Sequence, residues 1–201
     1  MNQIALPLDW PADEALDAFL VSPSNAAAVR HLDSPAKWPV AASILTGPRK
    51  SGRSLLGRIF AARTGGQLID NAEGRDETAI FHAWNAAQAS RRPLLLIADA
   101  PPPEWRVRLP DLRSRLSATP VVTLGAPDEP LIAQMIPYLL GRRGLACAGD
   151  VGAYVAPRLT RCHHSVIAFA DALDAAALAQ RRAITVPLAR EVLERSGDAA
   201  A

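Results

Sequence analysis

The sequence has few cysteines, no long apolar run and no basic leader, and each of these shortages excludes a class of protein. Its two cysteines, Cys147 and Cys162, are too few for a disulfide framework in a chain of 201 residues. No stretch reaches the roughly 18 to 20 apolar residues that a membrane span requires. The beginning of the chain lacks both the basic residues and the apolar run of a signal peptide. We therefore expect a cytoplasmic protein with no membrane segment.

The chain also lacks a large excess of either positive or negative charge. Lys and Arg number 22 against 20 Asp and Glu, which leaves a net charge of +2. The arginines form scattered pairs, such as Arg91-Arg92 and Arg142-Arg143, and no continuous tract. A basic tail of the kind that binds DNA is therefore not evident, and we expect no direct sequence-specific DNA binding.

The order of apolar runs and helix breakers divides the chain into three parts. Residues 1–10 contain Pro7 and precede Pro11, which predicts an extended peptide. Residues 11–127 alternate apolar runs with helical patterns, which predicts an α/β sheet domain. Residues 128–201 have helical patterns only and predict a small helical domain.

Within these parts, the pattern predicts individual elements. Buried strands are expected at 40–46, at 93–98 and at 121–125, and a short apolar piece lies at 67–69. In the C-terminal part, one continuous helix is expected over 150–159.

A glycine-containing motif follows the first strand. Gly47, Gly52 and Ser54 have the spacing of a P-loop, and Arg53 occupies its lysine position. The backbone N–H groups of such a loop point into a concavity at a helix N-terminus, where phosphate binds, and Ser54 can reach Mg²⁺. Arginine is a planar fork and not a point donor, so we expect nucleotide binding more than efficient hydrolysis. From the motif alone, a ligand-free strand-to-helix turn is an equal alternative.

Two further segments have the form of known motifs. LDAFLVSPSN at 16–25 precedes an alanine-rich helix, and LPDLRSRL at 109–116 contains Arg115. They resemble the first conserved box and the arginine-finger box of DnaA-related AAA+ ATPases, above all those of the Hda type, which regulate replication initiation. The resemblance implies that Arg115 reaches the nucleotide of a neighbouring subunit, whereas a surface arginine on an amphipathic helix is the alternative. It also implies that an adenine is contacted by Phe19, Leu20, Val21 and Asn25.

Two aspartates are assigned by the order of boxes in this family. LLLIADAPP at 94–102 resembles the sensor-1 strand, which makes Asp99 a candidate catalytic residue. LIDN at 68–71 precedes a helix as Walker B does, so the resemblance makes Asp70 the residue that orients Mg²⁺ with Ser54. The family has another strand and helix between the P-loop helix and Walker B, and this chain has too few residues for them. We therefore expect a reduced sheet.

The segment from Leu159 onward resembles the C-terminal lid of the same family, including its closing Ile-Thr-x-Pro. Counting from Arg161 places His164 at the position of the sensor-2 arginine, which a mostly neutral histidine replaces poorly. The resemblance covers nearly the whole chain and implies an α/β AAA+ P-loop core with a helical lid. It implies ADP or ATP as the cofactor, with Mg²⁺ optional, and the further cofactor-binding residues Gly47, Gly52, Arg53, Ser54, Leu55 and His164.

The N-terminal peptide resembles the motif that binds the sliding clamp of DNA polymerase III. In QIALPL, Gln3 can hydrogen-bond at the rim of an apolar pocket, Leu6 and Leu8 can enter it, and Pro7 orders the peptide beforehand. Leucines that pack on the parent domain are the alternative.

Three functions are compatible with these features. The first is a regulator that binds the clamp and DnaA and stimulates ATP hydrolysis by DnaA, which prevents re-initiation, while its own hydrolysis is weak or absent. The second is an active AAA+ ATPase of the clamp-loader or DNA-remodelling type, which Asp70 and Ser54 favour and Arg53 and His164 oppose. The third is a nucleotide-free adaptor that retains the fold. The resemblance also leaves homo-oligomerisation open.

The clamp motif leads to a first prediction. A chain that lacks residues 1–8 is expected to lose capture by the purified clamp. Burial of one leucine contributes roughly 1.5–3 kcal/mol, so Leu6→Ala or Leu8→Ala should weaken binding roughly ten- to a hundredfold. A pull-down and a titration measure the two effects, with Asn2→Ala as the control outside the motif. Equal capture of the shortened and the intact chain would exclude this role of the peptide.

Overall fold

The computed structural model describes residues 19–197, so the predicted clamp-binding residues Gln3, Leu6, Pro7 and Leu8 lie outside the described range. Its strands are β1 (Ala42–Thr46), β2 (Gln67–Ile69), β3 (Leu94–Ile97) and β4 (Val121–Thr123). Its helices are α1 (Ala26–Leu32), α2 (Arg53–Thr64), α3 (Glu77–Ser90), α4 (Pro110–Ser117), α5 (Glu129–Gly141), α6 (Val151–Val155), α7 (His163–Gln180) and α8 (Val186–Ser196). None of the described helices has the length and apolar character needed to cross a membrane.

The four strands form one parallel sheet in the order β2-β3-β1-β4. Leu45 pairs with Ile97 and Ile69 pairs with Leu96, so the carboxyl ends of the strands lie at one edge of the sheet. The two central strands, β1 and β3, are buried along their whole length, as their continuous apolar runs require. The predicted reduction of the sheet is confirmed, because only Gly65 and Gly66 separate α2 from β2.

A strand is present in the predicted range 121–125, but the prediction that it is buried is wrong. β4 covers Val121–Thr123, and Val121 is 42% exposed. The reason lies in the sheet order, which puts β4 at an edge with a strand neighbour on one side only. Leu124, the next residue, is buried in the apolar cluster that also contains residues of α1 and α2.

Helices cover both faces of the sheet. On one face, α1 and α2 pack against alternate strand residues, and the buried cluster includes Leu32, Leu56, Phe60, Leu45 and Leu95. On the opposite face, α3 and α4 pack against the other strand residues, and the buried cluster includes Ile80, Trp84, Leu112, Ile44 and Leu96. A residue on α4 and a residue on α2 are therefore separated by the thickness of the sheet.

The helices α5 to α8 form a unit with its own apolar core. The predicted single helix over 150–159 is wrong, because α6 ends at Val155 and a 3₁₀ turn, Ala156–Arg158, follows. Pro157 within this turn has no N–H with which to continue the α-helix. The sequence predicted only helices in this part of the chain, and the structure also has one isolated parallel β-bridge, between Cys147 and Ile184.

Asp128 joins the start of this helical unit to the segment before α1. Its carboxylate accepts a hydrogen bond from the Leu131 N–H at 2.9 Å, which caps α5, and another from the Ser24 N–H at 3.0 Å. The side chain of Asn25 fixes the same segment, because it accepts from the Ser22 N–H and donates to the Leu20 carbonyl, both at 2.9 Å. The predicted adenine segment and the first lid helix are therefore held together by hydrogen bonds.

The contact between α5 and α6 leads to a second prediction. A Cβ atom on Gly152 would overlap the carbonyl oxygen of Ala133, so Gly152→Ala should lower the free energy of unfolding by about 1–3 kcal/mol or more. Gly141→Ala is the matched control, because nothing lies within 4 Å of a Cβ there. Since alanine favours the helix, this control should be neutral or stabilising by about 0.5–1 kcal/mol. Urea denaturation measures both, and equal effects of the two changes would contradict the close contact.

Candidate functional site

The turn between β1 and α2 has the backbone path that its glycines permit. Gly47 has φ +145°, and a Cβ there would lie 2.8 Å from the Leu124 carbonyl oxygen. Gly52 has φ +89° and stands at the N-terminus of α2. Any other residue would be strained at either position. The strand, the turn and the helix therefore have the arrangement that the P-loop pattern predicts, with the helix N-terminus at the carboxyl edge of the sheet.

Arg53 is bound to the loop that follows β3. Its guanidinium donates to the Ala98 carbonyl at 2.5 Å and to the Asp99 carboxylate at 2.6 Å. The Arg53 side chain is 13% exposed, whereas that of Asp99 is 54% exposed. The hydrogen bond from Arg53 is the main reason why the pKa of Asp99 lies below its ordinary value, and Arg49 at 3.6 Å lowers it further. The structure thus brings together two predicted site residues, Arg53 and Asp99.

Glu73 supports this loop, and sequence reasoning missed it. Its carboxylate accepts hydrogen bonds from the Asp99 N–H at 2.7 Å and the Ala100 N–H at 3.0 Å. A glutamate in a short 3₁₀ turn belongs to no motif, and only the pairing of β2 with β3 brings it to this position. Asp99 is therefore fixed from two directions, through its carboxylate and through its backbone.

A cleft opens beside the P-loop turn and encloses about 690 Å³, part of which is open to solvent. One wall consists of the predicted adenine segment and the turn, and contributes Phe19, Leu20, Asn25, Lys50, Ser51 and Leu55. The opposite wall comes from the lid, through α5 and the N-terminus of α7, and contributes Leu131, Met135, Tyr138, Arg142, His163 and Ile167. The cleft is thus apolar over much of its lining, with cations and hydrogen-bonding groups at a few points.

Two buried polar atoms on these walls have no hydrogen-bond partner within residues 19–197. Among the described residues, they are the only buried side-chain nitrogen or oxygen atoms in this state, and they are Ser51 Oγ and His163 Nδ1. Ser51 is 8% exposed and His163 is 4% exposed. Burial also lowers the pKa of His163, which favours its neutral form. Unsatisfied buried polar atoms are costly, and two of them on one cleft are an expected feature of a ligand site.

These features fit a nucleotide. The glycines leave room for the backbone to approach a phosphate, the helix N-terminus of α2 favours negative charge, and the apolar wall suits a base. Phe19, Asn25, Gly52 and Leu55, all predicted to bind the cofactor, lie on this cleft.

Five predicted cofactor-binding residues do not line the cleft: Gly47, Arg53 and Ser54 belong to the P-loop turn and the start of α2, and Val21 and His164 lie elsewhere. Val21 is 49% exposed and lines a neighbouring apolar groove between α1 and α2. His164 is exposed, and the preceding residue, His163, faces the cleft instead. Adjacent residues on a helix point in directions about 100° apart, so an offset of one residue in the count from Arg161 changes which side chain faces the cleft. The sensor-2 role of His164 stays a prediction from spacing.

The two residues predicted to bind Mg²⁺, Ser54 and Asp70, do not belong to a larger cluster of metal-binding side chains within the described residues. Ser54 is half-buried in the first turn of α2, and Asp70 follows β2, two strands away from β1. Asp70 Oδ1 accepts a hydrogen bond from the Asn71 N–H at 2.9 Å. No group of three or more acidic, histidine or cysteine side chains within residues 19–197 could hold a metal ion. Ser54 and Asp70 therefore fit Mg²⁺ only where phosphate oxygens and water supply the remaining ligands.

Arg115 lies on the opposite face of the sheet from the P-loop helix. Its Cζ atom is 4.8 Å from the ring centroid of Phe81 and 4.8 Å from that of Trp84, both on α3. Cation–π contacts of this kind hold a guanidinium without neutralising its charge. No carboxylate of the described residues forms an ion pair with Arg115. Arg115 as a whole is half-buried.

Glu77 positions the helix that carries Arg115. Its carboxylate accepts hydrogen bonds from the Arg108 N–H at 2.9 Å and the Leu109 N–H at 2.6 Å, at the N-terminus of α4. These backbone donors lower the pKa of Glu77. Sequence reasoning missed Glu77, because its partners lie 31 and 32 residues further along the chain.

The chain resembles known proteins in its lid and in its fold. Residues 140–193 match the family model described as "Hda, lid domain". Domain III of the replication initiation protein DnaA from Thermotoga maritima has a TM-score of 0.71 and 16% identity, covering 92% of this chain and 97% of that one. The R170A variant of RuvB from Thermotoga maritima has a TM-score of 0.63 and 13% identity, covering 90% and 71%. AMPPCP-bound DnaA from Aquifex aeolicus has a TM-score of 0.61 and 14% identity, covering 82% and 66%.

One curated relative is an uncharacterized protein from Haemophilus influenzae. It is 32% identical over 128 residues, which is 62% of this chain and 55% of the relative. The chain thus spans about half the length of that relative. At identities of 13–16%, the solved structures establish the fold alone.

The ion pair of Asp99 leads to a third prediction. Because its pKa is lower in the folded chain, the Asp99 carboxylate stabilises the fold above its unfolded pKa of about 3.9. This contribution is lost as the pH falls through the lower folded value. Asp99→Asn should therefore reduce the urea midpoint at pH 7 by a modest amount, since the carboxylate is half exposed, and the two curves should converge in strong acid.

The control for this experiment is Glu104→Gln, which changes an exposed carboxylate that forms no ion pair with the described residues. It should leave the urea midpoint unchanged at both pH values. A difference between wild type and Asp99→Asn that persisted undiminished in strong acid would contradict an ionic origin.

Proposed function

We propose that the chain, whose fold is similar to that of DnaA and whose residues 140–193 match the Hda lid domain, regulates the initiation of replication by acting on DnaA. In this proposal the N-terminal peptide docks on the DNA polymerase III sliding clamp through Gln3, Leu6, Pro7 and Leu8. The folded part then presents Arg115 to ATP bound by DnaA and promotes its hydrolysis. The Hda-type lid and the DnaA-like fold support the class of replication-initiation regulator.

The position of Arg115 is the observation that carries this proposal. The guanidinium stacks on Phe81 and Trp84, on the sheet face that α3 and α4 cover, whereas the P-loop helix α2 lies on the other face. Arg115 is not among the residues that line the chain's own cleft. An unpaired guanidinium placed there can stabilise charge on a phosphoryl group of a second molecule, which is the role of an arginine finger supplied in trans.

The chain's own nucleotide is proposed to be ADP held as a structural cofactor. Bound in the cleft, ADP supplies phosphate charge to the P-loop turn and a base to the apolar wall. Arg53 takes the lysine position, and its donors are engaged by Ala98 and Asp99. An arginine committed in this way supports weak or absent hydrolysis, in contrast to an active ATPase of the clamp-loader type.

The finger role leads to a fourth prediction. Arg115→Ala should reduce stimulation of DnaA ATP hydrolysis by about 10³-fold or to background, because an arginine finger contributes about 10³–10⁵ to the rate. Phosphate release from ATP-bound DnaA, with clamp loaded on DNA, measures the effect. Arg115→Lys should also be poor, since lysine keeps the charge but not the planar fork.

Arg63→Ala is the matched control, because Arg63 is an exposed arginine on α2 whose partner, Asp33, lies on the same side of the sheet. It should stimulate DnaA as wild type does. Capture by the clamp should be unchanged for every variant. Stimulation by Arg115→Ala equal to wild type, with the protein folded, would rule out the finger role.

A further inference from the structure

The cleft between the P-loop turn and the lid carries one unpaired cation on each wall. Lys50 belongs to the turn, and Arg142 follows the last residue of α5. Both residues are exposed, and neither forms an ion pair with any residue in the described part of the chain. Both cations would attract an anion that enters the cleft.

Two residues that the resemblance assigns to cofactor binding, Arg53 and His164, are engaged by other groups or lie away from the cleft. Arg53 donates to the Ala98 carbonyl and to the Asp99 carboxylate. His164 is exposed and does not line the cleft. A phosphate that enters the cleft therefore finds Lys50 and Arg142 free, and would have to compete with Asp99 for Arg53.

The backbone at Lys50 is a second sign that this residue has a function. Its φ is +64°, in the left-handed region that a long side chain rarely adopts. Glycine or asparagine would be accommodated there at lower cost. Residues that persist in such a conformation are concentrated at ligand sites, where the surrounding structure holds them.

An independent observation points to a ligand in the same cleft. Ser51 Oγ and His163 Nδ1 lie in residues that are more than nine-tenths buried, one on each wall, and both lack a partner among residues 19–197. The adjoining surface is apolar and includes Phe19, Leu131 and Ile167. Polar groups without partners beside an apolar surface suit a molecule with both a base and a charged group.

We infer that Lys50 and Arg142 supply the cationic contacts to the phosphates of a nucleoside diphosphate, which thereby bridges the P-loop turn and the lid. This inference rests on the proposed nucleotide site and assigns the residues that recognise its charge. The consequence is a ligand that closes the cleft, because each wall contributes one cation to the same anion.

The test compares ADP with adenosine, which has the base and sugar but no phosphate, by calorimetric titration of the full chain. Lys50→Asn and Arg142→Gln should each weaken ADP binding about tenfold or more, as expected for the loss of one charge-assisted hydrogen bond. Adenosine binding should be unchanged. Asparagine is chosen at position 50 because it tolerates the left-handed backbone.

Two controls remove the same charge outside the cleft. Arg58→Gln changes an exposed residue on α2, and Arg30→Gln changes an exposed residue on α1. Both should bind ADP as wild type does. Lys50→Gly provides a second variant at the key position, and its melting temperature without ligand should be at least that of wild type, because glycine adopts positive φ freely.

Each outcome decides the inference. Wild-type affinity of Lys50→Asn and Arg142→Gln for ADP would overturn it, and so would an equal loss of ADP and adenosine binding, which would mean that the residues only shape the cleft. If wild type bound neither ligand, the proposed nucleotide site would itself fail. If wild type bound ADP and the variants Lys50→Asn and Arg142→Gln bound it equally well, the proposed function would stand and only the assignment of these two residues would fail.

Discussion

The parallel direction of all four strands is the constraint on which the rest of the structure depends. It places the carboxyl ends of β1, β2 and β3 at one edge, where the P-loop turn, Asp70 and Asp99 follow them. The hydrogen bonds of Arg53 to the loop after β3 span two adjacent strands and are possible only with this order. Leu124, beyond the end of β4, packs under Gly47 and leads towards Asp128, so the same edge also joins the lid.

The sheet also separates two kinds of chemistry. On one side lies a cleft with glycines, a helix N-terminus and unpartnered polar atoms, which are features suited to holding a ligand. On the other side lies Arg115, stacked on aromatic rings and anchored through Glu77 at the start of its helix. In the proposed function, the nucleotide would bind on the first side of the sheet and Arg115 would act on a different molecule from the second side.

Sequence reasoning predicted the parts of this arrangement that depend on local patterns. The apolar runs identified β1 and β3 because both faces of these strands are covered, and the order of boxes predicted the shortened connection before β2. It missed Glu73 and Glu77, because their partners lie more than 25 residues away and only strand and helix packing bring them together. It assigned the lid position to His164, whereas His163 lines the cleft, because spacing along a chain does not determine which helix face meets the cleft.

The short strand β2 also bears on edge-to-edge pairing between chains. In the described structure β2 is an edge strand, and an edge strand offers its backbone groups to any extended chain nearby. β2 has only three residues, follows Gly65 and Gly66, and gives way to Asn71 in a left-handed conformation. An edge this short is a poor template for a second chain. The shortness of β2 therefore limits edge-to-edge pairing at this side of the sheet.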